Sequence, residues 1–149
     1  MTSDQQWMKR ALELAVRAQE QGEVPVGAVV VDNDEIIGEG WNQSIAHSDP
    51  TAHAEIQALR EASLVVSNYR LSGKTLFVTL EPCIMCAGAI IHARLSRVVF
   101  GAHDPKTGAA GSIVNIFQNT QLNHHTQVTG NVLESECAIL LQKFFQDRR

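Results

Sequence analysis

His53-Ala54-Glu55 and Pro82-Cys83-Ile84-Met85-Cys86 are the segments of this chain whose residue types and spacing can do chemistry. Cys83 and Cys86 stand three apart, so on a helix they share one face. Both segments are expected at the first turns of helices, where unpaired backbone N–H groups and the helix dipole favour thiolates. One imidazole and two thiolates form a donor set suited to Zn²⁺, which takes nitrogen and sulfur in tetrahedral geometry. Three protein ligands leave the fourth corner to water, whereas a structural zinc site normally closes with four. Bound Zn²⁺ lowers the pKa of water from 15.7 to about 7. Glu55, two residues beyond His53, is the expected acceptor of that proton.

The elements that position these residues alternate between helix and strand. A first helix is expected from about Asp4 to Gln21, capped by Ser3 or Asp4, with Trp7, Met8, Ala11, Leu12, Ala15 and Ala18 on its buried stripe. Pro25–Val31 is a continuous, β-branched apolar run and reads as a central strand. Asp32-Asn33-Asp34 turns the chain, and Glu35–Asn42 returns antiparallel. A helix is expected from about Ala52 to Ala62, a strand from Lys74 to Leu80, and a helix from just after Pro82 to about Ala93. Arg97–Gly101 is the next strand, Asp104–Gly111 a polar loop, Val128-Thr129 a short strand, and Leu133–Gln146 a closing helix. Strands separated by helices imply parallel pairing with helices on both faces, and the hairpin adds an antiparallel edge. The fold class is therefore α/β: a three-layer α/β/α sandwich with a mixed five-stranded sheet. Ligands in such sheets bind beyond the carboxyl ends of the parallel strands.

The 149 residues suit one domain, taken as 1–149. Hydrophobic residues at 44% and charged residues at 19% fit a folded globular chain, and no apolar run approaches the roughly 20 residues that span a bilayer. No signal peptide is evident, so the expected location is cytoplasmic. Three cysteines do not make a disulfide framework. Cys137, on the apolar face of the last helix, reads as a buried small hydrophobe. The net charge of −4 does not advertise nucleic-acid binding, which leaves that to a local basic patch.

His-x-Glu followed by Pro-Cys-x-x-Cys is an established signature of zinc-dependent nucleobase deaminases. Within that cytidine/deoxycytidylate deaminase superfamily the chain resembles the bacterial tRNA-specific adenosine deaminases. The resemblance runs along essentially the whole chain. It is carried by Glu23–Ala28, Gly38–Asn42, Asp49–Glu55, Asn68–Leu71, Thr79–Ala89, Val98–Ala102 and Lys106–Gly111. It implies a cytidine deaminase-like fold, one Zn²⁺ per subunit held by His53, Cys83 and Cys86, and Glu55 as the proton shuttle. It further implies that Asn42 hydrogen-bonds a flipped base, that Ala54 adds a backbone contact, and that Val24 and Leu80 line the base pocket. The implied reaction converts the wobble adenosine of a tRNA anticodon to inosine, by attack of zinc-activated water on adenine C6 with release of ammonia. The implied partners are a tRNA anticodon stem-loop and a second copy of the chain, with no membrane.

Other residues carry two readings each. Asp104 approaches the nucleotide sugar or serves as a turn residue. Glu81, beside Pro82, orients a ligand or fixes a loop. Arg70, Arg94, Arg97, Lys106, Arg148 and Arg149 are candidates for phosphate contacts, with Phe145 beside the last two; each is equally a solvated surface group. His103 stands where the family often has Arg. His92 reads as structural or interfacial, and His47, His124 and His125 as loop residues. A deaminase of a free base shares every metal residue; a non-catalytic zinc module needs a fourth protein ligand.

Overall fold

A computed structural model describes residues 1–148; Arg149, one of the expected phosphate-facing cations, lies outside them. The first helix, α1 (Ser3–Glu20), starts one residue earlier than expected. Thr2 rather than Ser3 or Asp4 is its cap: the Thr2 hydroxyl accepts from the Gln5 N–H, and the Gln5 side chain accepts from the Thr2 N–H. The Thr-x-x-Gln spacing makes this reciprocal pair possible. Strand β1 (Gly27–Asp32) and strand β2 (Glu35–Trp41) form the hairpin. Asn33 and Asp34 both take positive φ, at 49° and 62°, the two-residue turn whose twist matches the strands.

Helix α2 spans Ala54–Val66, β3 spans Thr75–Leu80 and α3 spans Ile84–His92. Strand β4 (Arg97–Ala102) is followed by a 3₁₀ turn at Ile116–Gln118, then β5 (Gln127–Thr129) and α4 (Glu134–Gln146). The sheet order is β2-β1-β3-β4-β5, five strands and mixed as expected. Parallel pairing of helix-linked strands holds for β3 with β4, and β4 also pairs in parallel with β5. It does not extend to β1, which meets both β2 and β3 antiparallel. The α2 crossover joins β2 to β3, which run in the same direction but with β1 between them. The hairpin's first strand, not its second, is therefore the inner one.

Helices α1 and α4 pack on one face of the sheet, and α2 and α3 on the other. Val29, Val30, Val78, Val98 and Val99 fill the sheet's interior without solvent exposure. Two strand glycines set how closely the helices approach. A Cβ on Gly27 meets the α1 backbone, 2.6 Å from the Ala15 nitrogen and closer still to the Ala11 oxygen; one on Gly38 meets the α2 backbone 2.8 Å from the Ala62 nitrogen. Neither neighbour is a flexible side-chain end. Gly27→Ala should therefore destabilise the protein by about 1–3 kcal/mol, typical of forced overpacking. At 2–4 °C per kcal/mol that is a fall in Tm of roughly 2–12 °C, read by thermal denaturation.

Candidate active site

Two helix starts face each other at the heart of the site. His53 is the N-cap of α2 and Cys83 the N-cap of α3, both with extended backbone (ψ 156° and 174°). The helices thus begin at Ala54 and Ile84, not at Ala52 and directly after Pro82. An N-cap residue keeps non-helical torsions, so His53 and Cys83 stand just outside the helices whose first turns they close. Cys86 sits on the first turn of α3 and is fully buried.

His53 Nδ1 lies 3.6 Å from Cys83 Sγ and 3.5 Å from Cys86 Sγ, and the three donor atoms all fall within 4.8 Å of one another. Zn–S bonds of about 2.3 Å and Zn–N bonds of 2.0–2.1 Å at tetrahedral angles separate nitrogen from sulfur by roughly 3.5–3.6 Å. Both nitrogen–sulfur distances therefore match what a zinc ion requires, and the donors are the nitrogen–sulfur set that zinc takes. This is the one group of three metal-capable side chains among the described residues. No fourth His, Cys, Asp or Glu belongs to it.

The thiols ionise unequally. Cys83 is pushed down to about 4, first by its hydrogen bond with the Cys86 thiol and then by His53. Cys86 is pushed up by its bond to Cys83 and by burial. The His53 imidazole is raised, chiefly by its hydrogen bond to Cys83. Glu55, on the first turn of α2, is buried; burial pushes its carboxyl up to about 7 against its own backbone hydrogen bond, with Cys83, His53 and Cys86 acting on it as neighbours.

Asn42 follows the end of β2. Its Oδ1 accepts the Ala54 N–H at 2.8 Å. One lone pair of the oxygen is thereby used, and the amide NH₂ is the part of Asn42 left to donate to a ligand. This bond ties the first residue of α2 to the end of β2. Behind this corner, buried Glu23 accepts from the N–H groups of Ile45 (3.1 Å) and Ala46 (2.8 Å), which shapes the chain between Asn42 and His53.

Val24 and Leu80 line a cleft of about 800 Å³ together with His103, Asp104, Lys106 and Phe145. The metal-facing residues do not line this cleft. It adjoins them through Leu80, which ends β3, and through a β-bridge between Cys83 and Gly108. Asp104 takes the turn role: Oδ1 accepts from the N–H groups of Lys106 (3.0 Å) and Thr107 (3.2 Å), and Oδ2 from the Thr107 hydroxyl (2.7 Å). Glu81 resolves in favour of fixing a loop, by hydrogen bonds from Asp104, Ala110 and Ser112.

The cationic candidates separate. Lys106 and Arg148 line the cleft beside Phe145, which is 49% exposed, and the Arg148 guanidinium stacks on the Phe144 ring at 3.6 Å. Arg97 is removed from the set. Its guanidinium pairs with both Asp4 carboxylate oxygens at 3.0 and 2.7 Å. It also starts β4, five residues or roughly 16 Å of strand from the Ala102 end that borders the cleft. Arg70 lies over Tyr69 and Arg94 follows the C-terminal end of α3, away from the end that carries Cys83. Cys137 is buried against Gly101, as expected of a small hydrophobe, and His92 is exposed. Sequence reasoning gave no role to Glu23, Ser112 or the His103–Glu81 contact at 3.4 Å. Each is a partnership across 22 to 31 residues, without a local pattern to reveal it.

A sequence profile of the cytidine and deoxycytidylate deaminase zinc-binding region matches residues 1–102. The chain is 58% identical over 147 residues to a tRNA-specific adenosine deaminase of Haemophilus influenzae, across 98% of this chain and 85% of that protein. Its identity to the tRNA-specific adenosine deaminase of Bacillus subtilis is 46% over 149 residues, covering 100% of this chain and 92% of that one. A solved structure from a study of A-to-I editing by tRNA:A34 deaminases at the wobble position of transfer RNA superposes with a TM-score of 0.88. The two share 43% identity over 91% of this chain and 99% of that one.

Proposed function

Since this chain belongs to the cytidine and deoxycytidylate deaminase zinc-binding family and, within it, to the tRNA-specific adenosine deaminases, we infer that it is a zinc-dependent hydrolase converting the wobble adenosine of a tRNA anticodon to inosine. The observation that carries the reading is the imidazole nitrogen 3.5–3.6 Å from two sulfurs, with a buried carboxylate two residues along the chain. His53, Cys83 and Cys86 would hold the metal, one ion per chain. Zinc held there lowers the pKa of a water to about 7 and so supplies the nucleophile at neutral pH.

Glu55 moves the protons. It accepts one from the attacking water and delivers it to adenine N1 as C6 is attacked. It then carries the proton of the new C6 hydroxyl to the amine, which leaves as ammonia while C6 becomes a carbonyl. Burial keeps the carboxylate from solvent, so the proton it holds passes to the base and not to bulk water. Asn42 positions the base through its free NH₂, its oxygen being tied to Ala54. Asn42→Asp keeps that oxygen acceptor and removes the donor. The expected result is a KM raised on the order of 10-fold, for loss of one hydrogen bond, at unchanged zinc content. Steady-state kinetics with a metal assay check it.

The adenine reaches such a site only out of its stack, which an anticodon loop permits at low cost. Lys106, Arg148 and Phe145 at the cleft offer two cations and an aromatic face to phosphate and base. Incubating the protein with an anticodon stem-loop bearing adenosine at the wobble position, and with free adenine, cytosine and guanine, tests the reading. Inosine in the stem-loop alone supports it; deamination of a free base alone overturns it.

A homodimer is the expected assembly. Ile84 on α3 and Leu64 and Val65 on α2 are exposed apolar side chains, at 63%, 80% and 61% exposure, of the kind a second copy of the chain would cover. Among the described residues no helix is long and apolar enough to cross a membrane. We place the enzyme in the cytoplasm, where its tRNA substrate is.

A further inference from the structure

We propose that Glu81 is a positioning residue for substrate binding, acting through the loop of residues 103–112. This rests on the tRNA deaminase reading above. Glu81 follows the last residue of β3, and its side chain is buried. Oε1 accepts from the Asp104 N–H at 3.0 Å and from the Ser112 hydroxyl, and His103 Nδ1 lies 3.4 Å away. Oε2 accepts from the N–H groups of Ala110 at 2.9 Å and Ser112 at 3.1 Å. Every one of these partners belongs to residues 103–112. A Cβ on Gly108 would strike the Glu81 carboxylate, so the loop closes down onto it as far as a glycine allows.

The same loop presents His103, Asp104, Pro105, Lys106 and Thr107 to the cleft, and Gly108 bridges back to Cys83. One ionised carboxylate therefore holds the cleft's rim in register with the start of the metal-facing helix. Ionised, it only accepts, and every hydrogen on its partners needs an acceptor. A neutral amide of the same shape cannot replace it. Whichever way the amide is turned, its NH₂ faces N–H or O–H donors.

Glu81→Gln is the test, made on the full chain. Hydrogen exchange on the substrate-free protein should quicken at the amides of Asp104, Ala110 and Ser112, on the order of 10-fold or more, with the β3 amides unchanged. With the anticodon stem-loop, KM should rise by a similar factor while kcat and zinc content stay within about threefold of wild type. Ser112→Ala, which removes one donor and leaves the carboxylate, should raise KM by a smaller factor in the same direction. It also serves if Glu81→Gln fails to fold. Unchanged exchange at the three amides overturns the proposal, as does an unchanged KM in Ser112→Ala. A loss of zinc and kcat at constant KM overturns it too, because Glu81 would then act on the metal helix and not on the loop. A wild-type protein that makes no inosine would sink the tRNA reading, while the exchange result would still judge the hold on the loop.

Discussion

Glu55→Gln should bind one zinc per chain and deaminate the anticodon stem-loop about 10²–10⁴-fold more slowly than the unaltered protein, the range that general acid–base catalysis contributes. The substitution keeps the size and shape of a buried side chain, so the fold has little reason to change. It removes the one group beside the metal cluster that can take a proton and return it. The ligand atoms on His53, Cys83 and Cys86 are untouched, and the metal should stay. Two measurements decide: zinc per chain by elemental analysis, and inosine formed in a single turnover. Normal zinc with a lost rate is the expected pair. Near-normal turnover would exclude Glu55 from the proton path and return the search to the cleft.

Cys83→Ala should lose both zinc and turnover. Two donors of the set cannot hold the ion in tetrahedral geometry as three do, and without it the pKa of water returns from about 7 toward 15.7. Cys83 is the informative ligand to remove because it is partly exposed, whereas Cys86 is packed without solvent contact and its loss mixes ligation with packing. Chelator-treated wild type should match the variant in rate. Zinc at 100 times its Kd should raise the stability of apo wild type by about 2.7 kcal/mol. That corresponds to roughly 5–11 °C in Tm, and the variant should respond far less. A Cys83→Ala protein that retains stoichiometric zinc and activity would remove Cys83 from the ligand set.

A deaminase with this architecture divides its carboxylates by task. Three glutamates are buried. Glu55 faces the sulfurs and the imidazole; Glu23 and Glu81 face backbone N–H groups of the loops on either side. Hydrogen bonds from Ser112, Asp104 and Ala110 outweigh burial at Glu81 and hold its carboxyl below the usual range, whereas at Glu55 burial prevails. The same carboxyl is thus pushed up where donors are few and held down where they are many.

The local chemistry was legible in the residues themselves. Cys83 and Cys86 at a three-residue spacing, Pro82 before them and Glu55 two beyond His53 are short-range patterns, and a helix start converts such spacings directly into geometry. The strands and helices were legible for the same reason, since apolar periodicity is local. What the tertiary structure alone decided is everything that joins distant segments. It made β1 the antiparallel neighbour of β3, paired Arg97 with Asp4 and not with a phosphate, bonded the Ala54 N–H to Asn42, and turned Glu81 toward Ser112. Hydrogen bonds and ion pairs between residues 12 to 93 apart leave no periodic trace along the chain. They exist only once burial has removed the water that would otherwise satisfy the same groups.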